Sequence, residues 1–93
     1  MLFVALLKAR PGTQQQRIAR RMSWQAPDVG AKVVGEYWLE TPDPACVAVF
    51  TADKISQLWA IFTGWDDLFE ISIYPATTAE EGLELLKQMT PTS

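Results

Sequence analysis

Apolar and polar residues alternate on two different rhythms along this chain, and the rhythm changes at glycines and prolines. The clearest change falls at Gly64. Before it, Ile55, Leu58, Trp59 and Phe62 recur at the spacing of an amphipathic helix. After it, Phe69, Ile71 and Ile73 alternate with Glu70, Ser72 and Tyr74. That period of two predicts a strand with one face written for a core and one wetter face. The wetter face is where a ligand or a second subunit is expected.

The same reading orders the rest of the chain. Leu2 to Ala9 is apolar almost throughout, which predicts a central strand buried on both faces. Arg10-Pro11-Gly12 breaks it. Thr13 is expected to open a helix, with Gln16 at capping-box spacing. Ile18, Ala19, Met22 and Gln25 form its predicted inner stripe, Arg17, Arg20 and Arg21 its outer face, and Pro27 and Gly30 its end. Lys32 to Glu40 reads as strand two. Strict alternation there sets Val33, Gly35, Tyr37 and Leu39 against Lys32, Val34, Glu36, Trp38 and Glu40. Thr41-Pro42-Asp43-Pro44 is a stiff turn compatible with a hairpin, and Ala45 to Thr51 is a second apolar, central strand. Asp53 is expected to cap helix two and Gly64 to close it. Strand four is predicted over Leu68 to Tyr74, stopped by Pro75. Thr77 or Thr78 then caps a last helix, with Glu80 and Glu81 in its first turn, Leu83, Leu85, Leu86 and Met89 as apolar positions, and Pro91 as its stop.

The order is βαββαβ with an added C-terminal helix. It predicts one α+β domain over residues 1–93, ferredoxin-like, with a four-stranded antiparallel sheet in the order 4-1-3-2. The two apolar strands take the middle and the two alternating strands the edges.

Composition sharpens this picture in three places. Hydrophobic residues make up 48% of a chain of 93, ample for a globular fold, and the excess suggests that a second subunit covers some of them. The apolar start is too short for a membrane span and lacks the basic flank and cleavage site of a signal peptide, so a first strand is expected there. With Cys46 as the lone cysteine, no internal disulfide is possible and a cytoplasmic location is expected. Charge is uneven as well. Through Gly35 six cations face Asp28 alone, and from Glu36 onward ten acids face Lys54 and Lys87. Complementary surfaces within one fold or dimer explain this better than a nucleic-acid site, because the net charge of −3 opposes phosphate binding.

Four stretches carry a resemblance. They are the opening strand running into Arg10-Pro11-Gly12; Gly35-Glu36-Tyr37-Trp38; Val47-Ala48-Val49-Phe50 followed by the Asp53 helix; and Trp65 through Pro75. Together they resemble a small member of the dimeric α/β-barrel superfamily, near a domain-of-unknown-function family. The resemblance covers almost the whole chain and implies a homodimer whose two sheets close a barrel. The superfamily includes cofactor-free monooxygenases, isomerases, polyketide cyclases, haem-dependent peroxidases and stress-responsive proteins. This chain departs from the catalytic branches by having no histidine and no asparagine.

Candidate chemistry is sparse. Glu36 and Glu70 are a possible acid and base, or simply solvated edge-strand charge. Trp38 and Tyr74 suit either a flat ligand or a subunit interface. Parity adds Ser72, and the expected ligand-binding set is Glu36, Trp38, Glu70, Ser72 and Tyr74, all on the sheet face opposite the helices. Trp59 is expected in the helix core, Trp65 at the junction of helix two and strand four, and Trp24 in packing at the end of helix one. Cys46 is expected to be inert for want of a base, and the three arginines to form a solvated face. No metal or cofactor is expected, since one cysteine, no histidine and scattered acids make no ligand set, and no glycine turn matches a nucleotide fingerprint. The expected protein is a small homodimer binding a largely apolar small molecule. A cofactor-independent monooxygenase or isomerase, or a structural interaction module, stands as the alternative.

Overall fold

The computed structural model describes residues 1–90. Its elements are β1 (Leu2–Ala9), α1 (Gln14–Ser23), β2 (Lys32–Trp38), β3 (Cys46–Thr51), α2 (Ile55–Phe62) running into a 3₁₀ turn (Thr63–Trp65), β4 (Phe69–Ala76) and α3 (Ala79–Met89). The four strands form one antiparallel sheet in the order β2-β3-β1-β4. This is the α+β, ferredoxin-like arrangement, with the apolar strands β1 and β3 at the centre. The expected stop at Pro91 lies outside the described residues.

One sheet face carries the core. Phe3, Ala5, Leu7 and Ala9 of β1 lie beside Ala48 and Phe50 of β3 and Phe69 and Ile73 of β4, all buried. Leu58, Ile61 and Phe62 of α2, with Trp65 and Leu68 beyond it, complete the cluster. The other face holds Val4, Leu6, Val47 and Val49, only half-buried, so β1 and β3 are covered by their own chain on one side rather than on both.

Several local expectations change in the folded chain. Pro75 does not stop β4 but pairs with Phe3 inside it, which an edge strand tolerates because only one of its sides needs ladder donors. Asp53 does not cap α2. The Oε1 of Gln57 instead accepts from the backbone N–H groups of Asp53 (2.9 Å) and Lys54 (2.8 Å). Its Nε2 donates to the Val29 carbonyl at 2.8 Å, so one side chain fastens the helix start to the loop before β2. Gly30 in that loop has φ +86°, and a Cβ there would lie 2.8 Å from the same amide nitrogen. The Gln16 capping box does not form either; the Thr13 hydroxyl donates to the Arg10 carbonyl at 2.7 Å. Gly64 sits within the 3₁₀ turn rather than closing α2 in the left-handed region. Trp59, expected in the core, is 39% exposed, because α2 turns Leu58, Ile61 and Phe62 inward instead. At α3, Thr78 caps as expected, accepting from the Glu81 N–H at 3.1 Å.

Helix α3 buries none of its residues, and Leu83, Leu85, Leu86 and Met89 are each more than half exposed. The Cα radius of gyration is 15.9 Å, against roughly 12 Å for a compact domain of this length. The described chain therefore presents two apolar surfaces that it does not itself cover, the open sheet face and the stripe of α3.

Candidate functional site

The sheet register decides where the candidate residues point. Directly opposed residues of an antiparallel pair share a face. Glu70 opposes Lys8, Ser72 opposes Leu6 and Tyr74 opposes Val4, so all three project from the open face, as expected. Strand β2 does not follow. Its pairing with β3 shifts between Val33 and Gly35, a β-bulge with Val34 as the extra residue. Beyond the bulge Glu36 opposes Ala48 and Trp38 opposes Cys46, both on the helix face, while Gly35 and Tyr37 take the open face. The expectation that Glu36 and Trp38 share a face with Glu70, Ser72 and Tyr74 is therefore corrected. The two sets lie on opposite sides of the sheet and at opposite edges.

On the helix side Glu36 and Trp38 meet α1, whose inward face is rotated from the expected one. Met22 is 84% exposed, and Ile18 and Ala19 are exposed too. The half-buried positions are Arg17, Arg20, Arg21 and Trp24, at the i, i+3, i+4, i+7 spacing of one helix face. Long aliphatic stems let arginines cover apolar surface while their heads find partners. Arg20 makes a two-pronged bond to Asp67 (2.7 and 2.9 Å), donates to the Gly64 carbonyl and lies 5.5 Å from the Trp65 ring centroid. Arg21 makes a similar fork to Glu36 (2.9 and 3.1 Å) and lies 5.8 Å from Trp24. Arg17 lies 5.8 Å from Phe69. The five ion pairs among the described residues each join a cation of the basic first third to an acid of the remainder. That is the internal complementarity the charge asymmetry suggested.

Because guanidinium bridges rather than packed apolar side chains suspend α1, a cleft of about 270 Å³ remains beneath it. Leu7, Ala48, Phe50, Phe62, Trp65 and Phe69 floor the cleft, and Gln14, Arg17, Ile18 and Arg21 roof it. Glu36 and Trp38 stand at its rim, where the indole Nε1 donates to Glu36 at 2.6 Å. Trp24 meets Trp65 edge to face at 5.4 Å, and Trp65 leans on Phe69 at 5.9 Å, so the back wall is aromatic.

Three ionisable groups of the cleft depart from their ordinary behaviour, Arg21 among them, its pKa raised by its bonds to Glu36. The fork from Arg21 holds the Glu36 carboxyl below its usual range against the opposing effect of partial burial, with the Trp38 bond helping. Burial pushes the Cys46 thiol up to about 11, and the charge of Glu36 adds to it. Glu36 is thus a fixed anion and Cys46 a protonated wall. Among the described residues no group of three or more histidine, cysteine or carboxylate side chains could hold a metal ion.

The Glu36 shift has a consequence for stability. A carboxyl with a depressed folded pKa contributes stability above its unfolded value, near 4.5, and loses it as pH falls through the folded value. Asp67, lowered by its bond from Arg20, acts in the same direction. The Glu36 bridge is expected to contribute about 1 kcal/mol, the upper end for a pair that still meets solvent. Urea midpoints measured between pH 7 and pH 3 should fall on the acid side, and less steeply in Glu36→Gln. Parallel acid limbs would show the bridge to be energetically idle.

The arginine stripe was missed in the sequence because three charges on a helix ordinarily mark its solvated face. Its signal was the run of Arg17, Arg20, Arg21 and Trp24 along one helical stripe, opposite a chain remainder rich in acids. Fold and cleft together define a ferredoxin-like α+β domain with an aromatic-walled cavity between sheet and first helix. The chain belongs to the domain-of-unknown-function family DUF3303, whose model matches residues 1–90. No curated protein and no solved structure matches the chain.

Proposed function

We propose that this chain is a cytoplasmic homodimer of the dimeric α/β-barrel type that binds a small, largely apolar molecule in the cleft beneath α1. The carrying observation is that cleft, with six apolar side chains as its floor and a volume just below the roughly 300–1,000 Å³ usual for ligand sites. It is walled by aromatic rings and rimmed by few polar groups, the lining of a binding site for hydrocarbon. Glu36 and Trp38 serve this cleft, while Glu70, Ser72 and Tyr74 belong to the subunit seam, which would close over the half-buried valines and leucines of the open face. The unburied stripe of α3 supports the same assembly, since a second copy would cover it. An enzymatic role draws less support, because Glu36 is held ionised by Arg21 and Cys46 is held protonated.

Two readouts test the cleft. The neutral dye N-phenyl-1-naphthylamine is expected to bind with a blue-shifted, enhanced emission. The thiol of Cys46, which lines the same cleft, is expected to react with iodoacetamide at pH 7.5 about tenfold or more slowly than an ordinary cysteine, and more slowly again with dye bound. A dye that stays dark, or that leaves Cys46 unprotected, removes the cleft as a binding site.

A further inference from the structure

Four arginines occur in this chain, and three of them have a carboxylate within ion-pair distance: Arg10 at Glu70, Arg20 at Asp67 and Arg21 at Glu36. Among the described residues Arg17 has none. Its guanidinium instead lies over Phe69, half-buried at the point where the cleft meets a second depression lined by the Arg10–Thr13 turn and the first turn of α1. Gln14, one turn earlier on the same helix face, lines both cavities beside it. A cation and an amide therefore stand together at the mouth of an apolar chamber, and the other two cations of α1 are already neutralised.

We propose that the cleft selects an amphipathic monoanion, a flat aromatic or short-chain carboxylate. The carboxylate is taken by the Arg17 fork with the Gln14 amide beside it, and the hydrocarbon lies against Phe69, Phe50 and Trp65. This deepens the reading of the cleft as a ligand site and rests on it. The chemistry follows from the parts. A guanidinium presents two parallel donors that match a carboxylate, and its hydrogen bonds are stronger for being charge-assisted. The apolar floor makes that pairing stronger than it would be in water, because the partners meet at the edge of a low-dielectric cavity. A second carboxylate on the ligand would be disfavoured, since it would approach the anion of Glu36 at the opposite rim.

The test compares two ligands of nearly the same shape and different charge, 1-naphthoate and 1-naphthamide, by displacement of N-phenyl-1-naphthylamine from the full chain at pH 7.5. Naphthoate is expected to bind about tenfold more tightly than the amide, the scale of one charge-assisted hydrogen-bonded pair. The preference should shrink between 0.05 and 0.5 M salt. Arg17→Gln is expected to bring naphthoate to the level of the amide, and Arg17→Lys to fall between them, because a lysine keeps the charge and loses the fork. Equal affinity of the two ligands for the unmodified chain overturns the proposal while leaving the cleft intact, and needs no variant to fold. A preference that survives in Arg17→Gln overturns it by placing the anion on another cation. If the dye itself does not bind, the cleft reading fails and the proposal falls with it.

Discussion

Trp65→Ala is expected to cost about 3–5 kcal/mol of folding stability, the range for removing a large buried aromatic. The residue is 5% exposed and belongs to the core cluster, yet it is held by polar and aromatic neighbours rather than by aliphatic packing alone. Trp24 meets it edge to face, Phe69 lies tilted against it, and Arg20 lies over its ring while bonding Asp67 and the Gly64 carbonyl. Truncation thus leaves a hole where the 3₁₀ turn, β4 and α1 converge. It also takes from Arg20 the surface that orients its fork. Small domains are stable by only about 5–15 kcal/mol, so the variant should lose a large share of the total. Trp24→Ala, at a half-buried position, should cost clearly less. Urea denaturation followed by far-ultraviolet circular dichroism decides this. A Trp65→Ala loss below about 1 kcal/mol would mean that the junction repacks freely, and that α1 is not anchored through this residue.

The legible part of this fold is the part that burial writes directly into residue type. Strands β1 and β3 are apolar on both faces, which places them at the centre of the sheet, although their own chain covers only one of those faces. Strand β4 shows clean alternation because its pairing with β1 runs without interruption, and the faces of Glu70, Ser72 and Tyr74 followed from it. The illegible part is where a single backbone event changes the meaning of every later position. In β2 that event is the bulge at Val34, which inverts the parity of Glu36, Tyr37 and Trp38. A glycine within a strand is a known companion of bulges, and Gly35 stands at this one. Its Cβ would lie 2.6 Å from the Tyr37 hydroxyl, so the ring folds back over the glycine on the open face. The pattern Val-Val-Gly offered the bulge, and strict alternation was the wrong rule to carry across it.

Helix α1 failed for a different reason. Sorting residues by hydropathy assigns arginine to water, whereas here the guanidiniums are the contacts. Each has an aromatic ring beneath its plane, and two have a carboxylate beyond it. Those carboxylates come from β2 and from the loop before β4, far off in sequence, and nothing local to the helix announces them. The cleft is a product of the same substitution. A helix seated by leucines would have closed on the sheet, and one seated by arginines stands away from it. The candidate site could therefore be read from the sequence only as a list of residue types. Its assembly needed the register and the rotated helix.

Val49→Arg is expected to turn the dimer proposed here into a monomer without unfolding it. Val49 lies between Val4 and Gly35 in the sheet, at the middle of the open face, and no helix of its own chain covers it. In the separate subunit an arginine there can extend into water. At the centre of a sheet-to-sheet contact it would be buried against its symmetry mate, and two such charges without partners are strongly destabilising. Association should weaken at least 100-fold, about 2.7 kcal/mol or more. The substitution Met22→Arg, on the solvent side of α1, supplies the control and should leave association unchanged. Sedimentation equilibrium at micromolar concentration reads the outcome. The unmodified chain is expected as a dimer burying roughly 1,200–2,000 Å² in total, and Val49→Arg as a folded monomer. Should the unmodified chain sediment as a monomer, or the variant remain a dimer, the open face is not the seam. Leu2, Val4, Leu6, Val47 and Val49 would then need another cover, and the exposed stripe of α3 is a surface of matching chemistry.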